Sequence, residues 1–154
     1  MTAPRTARIA IIVSRFNRAV TDNLLEGARE AVKKLGVVCD DVDVFAVPGA
    51  FELPLVAREA AKNPRYDAVV CLGAVIRGET PHFDYVCQET AAGIARVSLE
   101  TGKPVAFGVL TTDDTTQALE RAGGAVGNKG YEAVATVVET LTAIEQVRAA
   151  GNRG

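Results

Sequence analysis

The sequence has few of the residues on which reactive sites are usually built. Its 154 residues include one histidine, one methionine and no tryptophan, and aromatic residues make up only 5%. The three cysteines are Cys39, Cys71 and Cys87. An odd number of widely spaced cysteines fits neither a disulfide framework nor a zinc knuckle. Cys71 lies within the apolar run VVCLGAV, where a free thiol is typically an inert core residue. The sequence therefore predicts neither a metal site nor a disulfide.

Strong charge and long apolar runs are also missing. The formal net charge is −2 and the pI about 5.5, which gives no general attraction to nucleic acid or to anionic membranes. No apolar run approaches the roughly 18 residues of a membrane span, and the N-terminal residues MTAPRTAR lack the apolar core of a signal peptide. These absences predict a reduced, cytoplasmic, soluble protein with no nucleic-acid or membrane partner.

What the sequence does contain is apolar aliphatic residues in short runs. Four runs, at 8–14, 41–47, 67–76 and 104–111, have the length of strands. Three of them are nearly continuous in Val, Ile, Ala and Leu instead of alternating with polar residues. That pattern is typical of strands that are covered on both faces of a sheet.

Helical periodicity fills the segments between these runs. The predicted helices cover residues 17–35, 51–62, 84–100 and 130–148. Gly36 and Gly102 are placed to end two of them. A further short helix is predicted after residue 114, because Asp114 and Gln117 have the spacing of a capping box.

This order of elements predicts one α/β domain over residues 1–154. Because each connection between strands is helical, the strands should be parallel and the crossovers right-handed. The expected fold is a three-layer α/β/α sandwich, flavodoxin-like, with a four-stranded parallel sheet of order 2-1-3-4. Residues 1–7 are predicted to be a short N-terminal arm and residues 149–154 a frayed tail. In such sheets ligands bind at the carboxyl ends of the strands, here between the loops 14–17 and 77–84.

The lone histidine lies in the second of these loops, within RGETPHFD. An imidazole titrates near neutrality, so His82 can both donate and accept a proton. A single histidine is also commonly structural or simply exposed. The sequence does not decide whether Glu79 or Asp84 orients the ring. Gly78 and Thr80, at the beginning of the next helix, have the setting of an anion site, although an ordinary helix start has the same features.

Three other positions have both a functional and an ordinary interpretation. Phe16, in the polar turn SRFN, either stacks on a heteroaromatic ring or packs as a hydrophobic staple. Glu52, in PGAFELP, either accepts ligand hydroxyls or complements a helix dipole. Arg121 and Lys129 flank the glycine-rich stretch AGGAVGNKG and either bind phosphate or remain solvated. That stretch is not a P-loop, because Gly130 follows the lysine and the loop joins two helices.

Taken together, these segments resemble one enzyme family. SRFN, PGAFELP, GAVIRGETPHFDYV, FGVLTTDD, QALERAG and GNKGYEA occur in this order and at this spacing in 6,7-dimethyl-8-ribityllumazine synthases, over about residues 8–145. The resemblance implies a step of riboflavin biosynthesis: condensation of 5-amino-6-(D-ribitylamino)uracil with 3,4-dihydroxy-2-butanone 4-phosphate, with no cofactor. A protein of the same fold that only binds flavin or lumazine, or only forms a shell, is the alternative.

The resemblance also implies a role for each matching residue. Phe16 would stack on the pyrimidinedione ring, Glu52 would bind ribityl hydroxyls, His82 would transfer protons and Arg121 would bind phosphate. The other residues expected to bind substrate are Ala50, Phe51, Ala74, Val75, Ile76, Gly78, Glu79, Thr80, Phe107 and Lys129. Phe107, Arg121 and Lys129 would reach the site from a neighbouring subunit. The family pattern therefore implies a homo-oligomer, either a pentamer or an icosahedral capsid of 60 subunits, with riboflavin synthase as a candidate partner.

Overall fold

The computed structural model describes residues 6–152, which form a parallel sheet with helices on both faces. The elements in chain order are β1 Ile9–Ser14, α1 Arg18–Leu35, β2 Val44–Val47, α2 Leu53–Lys62, β3 Ala68–Ile76, α3 His82–Thr101, β4 Val105–Thr112, α4 Thr115–Glu120, β5 Ala122–Gly124, β6 Gly127–Asn128 and α5 Lys129–Gly151. Within these residues, no helix is both long and apolar enough to cross a bilayer.

The sheet has the strand order β2-β1-β3-β4, as the sequence predicts, and all of its pairings are parallel. Strand β1 lies in the centre, where Ile12 is paired with Phe45 on one side and with Cys71 on the other. Because the order reverses between β1 and β3, the crevice expected at their carboxyl ends is present in the topology.

Two apolar clusters fill the space between the sheet and its helices. On one face, Ile11 and Val70 pack with Leu24 of α1 and Val134 of α5. On the opposite face, a second cluster gathers side chains from β1 and β3 with others from α2 and α3; its members include Ile12, Leu53, Tyr66, Val69, Cys71 and Ile94. Successive residues of β1 therefore alternate between two buried layers, which explains why this strand has no polar positions until Ser14.

The predicted helix boundaries are largely confirmed. Gly36 and Gly102 end α1 and α3 with φ values of 71° and 70°, a left-handed conformation that glycine adopts without steric cost. Asp114 caps α4 by accepting the backbone N–H of Gln117. The return bond of the expected capping box is shifted by one residue, because the Gln117 side chain accepts from the backbone N–H of Asp113.

Residues 41–43 depart from the predicted strand. Asp41–Asp43 form a short 3-10 helix, and β2 begins only at Val44. The cause is the carboxylate of Asp43, which is fully buried and accepts hydrogen bonds from Arg8 (2.6 Å), Arg65 and Tyr66 (both 2.9 Å). An extended backbone would carry this side chain away from those partners.

Two further regions differ from the sequence-based expectation. The glycine-rich loop contains the short antiparallel hairpin β5–β6, which the sequence does not signal. At the other end of the chain, α5 continues to Gly151, so that residues 149–151 of the predicted tail are helical. Ala149 and Ala150 favour continuation, since alanine has the highest helix propensity. Most of the predicted N-terminal arm, residues 1–5, lies outside the described residues.

Candidate active site

A cavity of about 630 Å³ lies at the carboxyl ends of β1, β2 and β3. Its lining includes ten of the residues predicted for the site: Phe16, Ala50, Phe51, Glu52, Ala74, Val75, Ile76, Gly78, Thr80 and His82. Glu79, in the same loop as His82, is exposed and does not belong to the lining. The volume falls in the range of pockets that bind small molecules.

Phe16 is held at the edge of this cavity by the turn after β1. Its side chain is 68% exposed, which does not fit the alternative of a hydrophobic staple. Asn17 adopts a left-handed backbone conformation with φ 60°, and its side-chain amide donates to the carbonyl of Ala74 over 2.8 Å. This bond joins the turn to the end of β3, so that the Phe16 ring and the backbone of β3 line the same cavity. The ring offers an open face to a flat ligand.

Glu52 also lines the cavity, at the end of the 3-10 helix Ala50–Glu52 and immediately before α2. Its side chain makes no capping hydrogen bond to α2. The carboxylate lies over Gly49, where an added Cβ would be only 3.1 Å from Oε1. Gly49 therefore leaves room for a carboxylate that lines the cavity and can accept hydroxyl donors.

His82 is the first residue of α3, and its imidazole is exposed. No hydrogen bond or ion pair joins the ring to Glu79 or Asp84 within residues 6–152. Asp84 instead approaches Arg77, with Nη1 and Oδ1 3.7 Å apart. The start of α3 carries no side-chain cap. The backbone N–H of Asp84 donates to the carbonyl of Pro81 over 3.0 Å, which leaves the N–H groups of His82 and Phe83 available beside Thr80 and Gly78. Free N–H groups and the positive end of the helix dipole together suit an anion.

The other three predicted residues lie in a second cavity, of about 470 Å³, beside the edge strand β4. Phe107 projects from β4, Arg121 follows α4, and Lys129 begins α5. The two cavities have no lining residue in common. One chain thus presents these groups in two separate pockets, the imidazole in the first and two cationic side chains in the second.

Backbone contacts fix the two cations of the second cavity. The Arg121 guanidinium donates to the carbonyl of Gln117 over 3.0 Å and lies 3.7 Å from the carboxylate of Glu120. The backbone N–H of Lys129 donates to the carbonyl of Arg121 over 2.9 Å, which brings the two residues together across the β5–β6 hairpin. Asn128 caps α5 and also donates to the carbonyl of Asn23 on α1 over 3.0 Å, so the start of α5 is anchored.

Sequence reasoning missed several lining residues. Gly49, Phe83, Tyr85 and Val86 complete the first cavity. The available signal was their proximity in the sequence to predicted residues, Ala50 for Gly49 and His82 for the other three. The missed residues of the second cavity are Val109, Leu110, Thr111, Thr112, Gln117, Val126 and Glu132. In the part of the chain that the structure describes, no group of three His, Cys, Asp or Glu side chains is arranged to hold a metal ion.

Comparison with known proteins identifies the family of this chain. Residues 6–145 match the model of the 6,7-dimethyl-8-ribityllumazine synthase family. The chain is 52% identical over 141 residues to the 6,7-dimethyl-8-ribityllumazine synthase of Protochlamydia amoebophila (strain UWE25), a match that covers 92% of this chain and 82% of that protein. The chain therefore belongs to the 6,7-dimethyl-8-ribityllumazine synthase family.

Proposed function

We propose that this chain is a transferase of riboflavin biosynthesis that makes 6,7-dimethyl-8-ribityllumazine. It condenses 5-amino-6-(D-ribitylamino)uracil with 3,4-dihydroxy-2-butanone 4-phosphate and releases phosphate and two waters. Membership of the family supports this reaction. The structural observation that carries it is the division of the predicted site into two cavities with complementary chemistry: an aromatic face, a carboxylate and an imidazole in one, two cations in the other.

The first cavity is proposed to bind the uracil substrate. Phe16 stacks on the pyrimidinedione, and the backbone of Ala74, Val75 and Ile76 contacts its polar edge. The carboxylate of Glu52 accepts hydrogen bonds from the ribityl hydroxyls, with Ala50 and Phe51 beside it. Two observations support these assignments: the Phe16 ring is exposed, and the Glu52 carboxylate forms no capping hydrogen bond to α2. Both groups can therefore contact a ligand.

The second substrate is proposed to lie between the start of α3 and a neighbouring subunit. Gly78, Glu79 and Thr80 surround its phosphate on one side, where the uncapped helix provides N–H donors. Arg121 and Lys129 of the adjacent subunit bind it from the other side, and Phe107 closes the pocket. A guanidinium suits this role because its planar fork matches two phosphate oxygens.

The chemistry requires proton transfers near neutral pH. The amine of the uracil attacks the ketone, and loss of the first water forms an imine. Elimination breaks the C–O bond to phosphate, which leaves with that electron pair, and ring closure releases the second water. His82 is proposed to take and return protons during these steps. Holding both substrates together contributes most of the acceleration, since effective molarities can supply roughly 7–11 kcal/mol at best.

The deciding experiment mixes the two substrates with the protein and follows lumazine fluorescence and phosphate together. One phosphate released for each lumazine formed supports the proposal. A protein that only binds flavin or lumazine would bind the ring tightly and release no phosphate. A protein that only forms a shell would assemble and bind neither substrate. Either of those results would overturn the proposed activity.

A site divided between subunits requires an oligomer, and we propose at least a pentamer. The uninterrupted glycine-rich stretch that joins α4 to α5, residues 122–130, resembles that of the shell-forming members of the family, which favours the 60-subunit icosahedral capsid. Sedimentation should give about 0.08 MDa for five copies of the 16.2 kDa chain or about 1 MDa for sixty. A monomer would contradict the divided site.

The remaining expectations concern the setting of the enzyme. We propose that residues 1–154 act as a single domain and that the protein is cytoplasmic. Riboflavin synthase, which uses the lumazine product, stays the predicted protein partner. Co-sedimentation of a purified riboflavin synthase with the assembled protein would support that partnership, and its absence from the sedimenting fraction would contradict it.

A further inference from the structure

Arg77 lies between the two cavities without lining either of them. It directly follows β3, and its backbone N–H donates to the carbonyl of Thr112 over 2.9 Å. The next three residues, Gly78 to Thr80, make no hydrogen bond to any other residue within 6–152. The loop that leads to His82 is therefore held mainly by the contacts of Arg77 at its beginning.

On one side, the Arg77 side chain contacts the first turn of α3. Its guanidinium carbon lies 4.5 Å from the centroid of the Phe83 ring, and Nη1 lies 3.7 Å from Oδ1 of Asp84. Phe83 is nearly buried and directly follows His82. A cation stacked on this ring therefore restrains the helical turn from which the imidazole projects.

On its other side, Arg77 reaches the end of β4. Its Nε donates to Oδ1 of Asp113 over 2.9 Å. The backbone N–H of Asp113 donates to the Gln117 side chain over 2.8 Å, and the carbonyl of Gln117 accepts from the Arg121 guanidinium over 3.0 Å. A continuous series of contacts thus leads from the first turn of α3 through Arg77 to Arg121.

We propose that Arg77 is a positioning residue for both half-sites of a chain, holding His82 in one cavity and, through Asp113 and Gln117, Arg121 in the other. This inference rests on the proposed function. If each active site is shared by neighbouring subunits, the two half-sites joined by Arg77 belong to two different active sites. Arg77 then sets the geometry of the proton-transfer group in one site and of the phosphate-binding group in the next.

The chemistry of the side chain fits this role better than a contribution to folding. Arg77 is about half exposed, and ion pairs at such positions contribute little to stability. Its Nε and Nη1 atoms approach Asp113 and Asp84, and its planar face lies on an aromatic ring. A lysine ammonium cannot make these contacts together, because it lacks the planar fork.

The test compares Arg77→Gln and Arg77→Lys with the control Arg29→Gln. Arg29 is 44% exposed against 49% for Arg77, pairs with Asp41 over 3.0 Å and lines neither cavity. We expect Arg77→Gln to lower kcat and to raise the KM for the butanone phosphate, with kcat/KM reduced by about tenfold or more. The KM for the uracil substrate should stay at the wild-type value. Arg77→Lys should lose part of the same activity, and Arg29→Gln should behave as wild type.

Two results would overturn the inference. In the first, Arg77→Gln has wild-type kcat and KM values. In the second, kcat falls while both KM values are unchanged and the melting temperature drops, which is the signature of a purely structural role. If Arg77→Gln does not assemble, Asp113→Asn tests the same connection: a raised KM for the butanone phosphate supports it, and an unchanged KM overturns it.

A binding measurement separates this inference from the proposed function. Inorganic phosphate is titrated calorimetrically into the assembled wild-type protein and the variants, with no turnover required. Arg77→Gln should weaken phosphate binding and Arg29→Gln should not, whether or not the wild type forms lumazine. Equal phosphate affinity in all three proteins would overturn the role of Arg77 alone. Absence of lumazine formation by the wild type would overturn the proposed reaction alone.

Discussion

His82 and Arg121 of one chain lie in different cavities, the imidazole at the carboxyl ends of β1 and β3 and the guanidinium beside the edge strand β4. The proposed reaction requires an imidazole and a phosphate-binding cation at one small substrate. The simplest arrangement that satisfies both is a site in which the second cavity of one chain faces the first cavity of the next. This arrangement leads to specific expectations for variants.

Replacing His82 by alanine should slow the reaction without abolishing it. Loss of a general acid–base catalyst typically lowers kcat by about 100-fold or more, whereas the contribution of holding both substrates together remains. Lumazine fluorescence and phosphate release measured on the assembled variant give kcat. Complete loss of turnover in a variant that assembles and binds both substrates would contradict the proposal that holding the substrates together supplies most of the acceleration.

Arg121→Ala should mainly weaken binding of the phosphate-bearing substrate. A hydrogen bond to a charged group contributes about 1.5–3 kcal/mol, which corresponds to a KM for the butanone phosphate raised by about 10- to 100-fold. The KM for the uracil substrate should change little. Arg58→Ala, which removes an exposed arginine outside both cavities, is the matched control. An unchanged KM for the butanone phosphate would remove Arg121 from the site.

A mixture of the two variants tests whether the site is shared. His82→Ala chains and Arg121→Ala chains are unfolded, mixed in equal amounts and reassembled together. In random assembly, about one quarter of the sites combine an intact His82 with an intact Arg121 from the neighbour. Activity should therefore recover to about a quarter of the wild-type value. If both residues of a site came from one chain, mixing would restore nothing.

Cys71 should be unreactive in the folded protein. It is fully buried, and burial raises the pKa of its thiol to about 12. Only about one molecule in 10⁴ would then carry the thiolate at pH 8. A variant with Cys39 and Cys87 replaced by serine should react with a thiol reagent only after denaturant is added. Rapid labelling of that folded variant would contradict the buried position.

Asp43 should make stability depend on pH in the acid range. Burial by itself would raise the pKa of its carboxyl, but hydrogen bonds from the backbone N–H of Asp40 and from Arg65, Tyr66 and Arg8 outweigh it and lower the pKa to about 2. Because the folded-state pKa lies below the unfolded value, this stabilisation is complete above about pH 4. It is lost as the pH falls from about 4 through about 2.

The corresponding variant is Asp43→Asn, with Asp41→Asn as an exposed control on the same short helix. A pKa lowered by about two units corresponds to about 2 kcal/mol in the free energy of unfolding. Denaturant unfolding at neutral pH should show a loss of about this size for Asp43→Asn and little change for Asp41→Asn. Equal acid sensitivity of wild type and Asp43→Asn would contradict the assignment.

The fold was predictable because its signals are local. Strand β3 was expected at 67–76 and is found at Ala68–Ile76, since a continuous apolar run flanked by polar residues marks a strand buried on both faces. Residues 41–43 were predicted wrongly because a distant interaction overrides their local preference. The carboxylate of Asp43 is bound by Arg8 and Arg65, which lie far from it in the sequence.

The first cavity was also largely predictable. Phe16, Glu52 and His82 follow three different strands, and the carboxyl ends of parallel strands meet at one edge of the sheet. The sequence did not predict that Glu79 lies outside the lining of this cavity. A sequence does not reveal where side chains point in a loop without regular structure. The cap that Asp114 forms on α4 was predictable, but the hydrogen bond from the backbone N–H of Asp113 to the Gln117 side chain was not. That bond makes Gln117 part of the connection to Arg121.

The sequence by itself determined the parallel sheet, its order and the edge at which ligands bind, because apolar periodicity and right-handed crossovers leave few other arrangements. Its motifs also determined the family. Only the tertiary structure decided that Arg121 and Lys129 line a cavity separate from that of His82. It also decided that Arg77 lies between the two cavities. Contacts between side chains distant in sequence depend on how packed elements approach one another, and no local pattern records that approach.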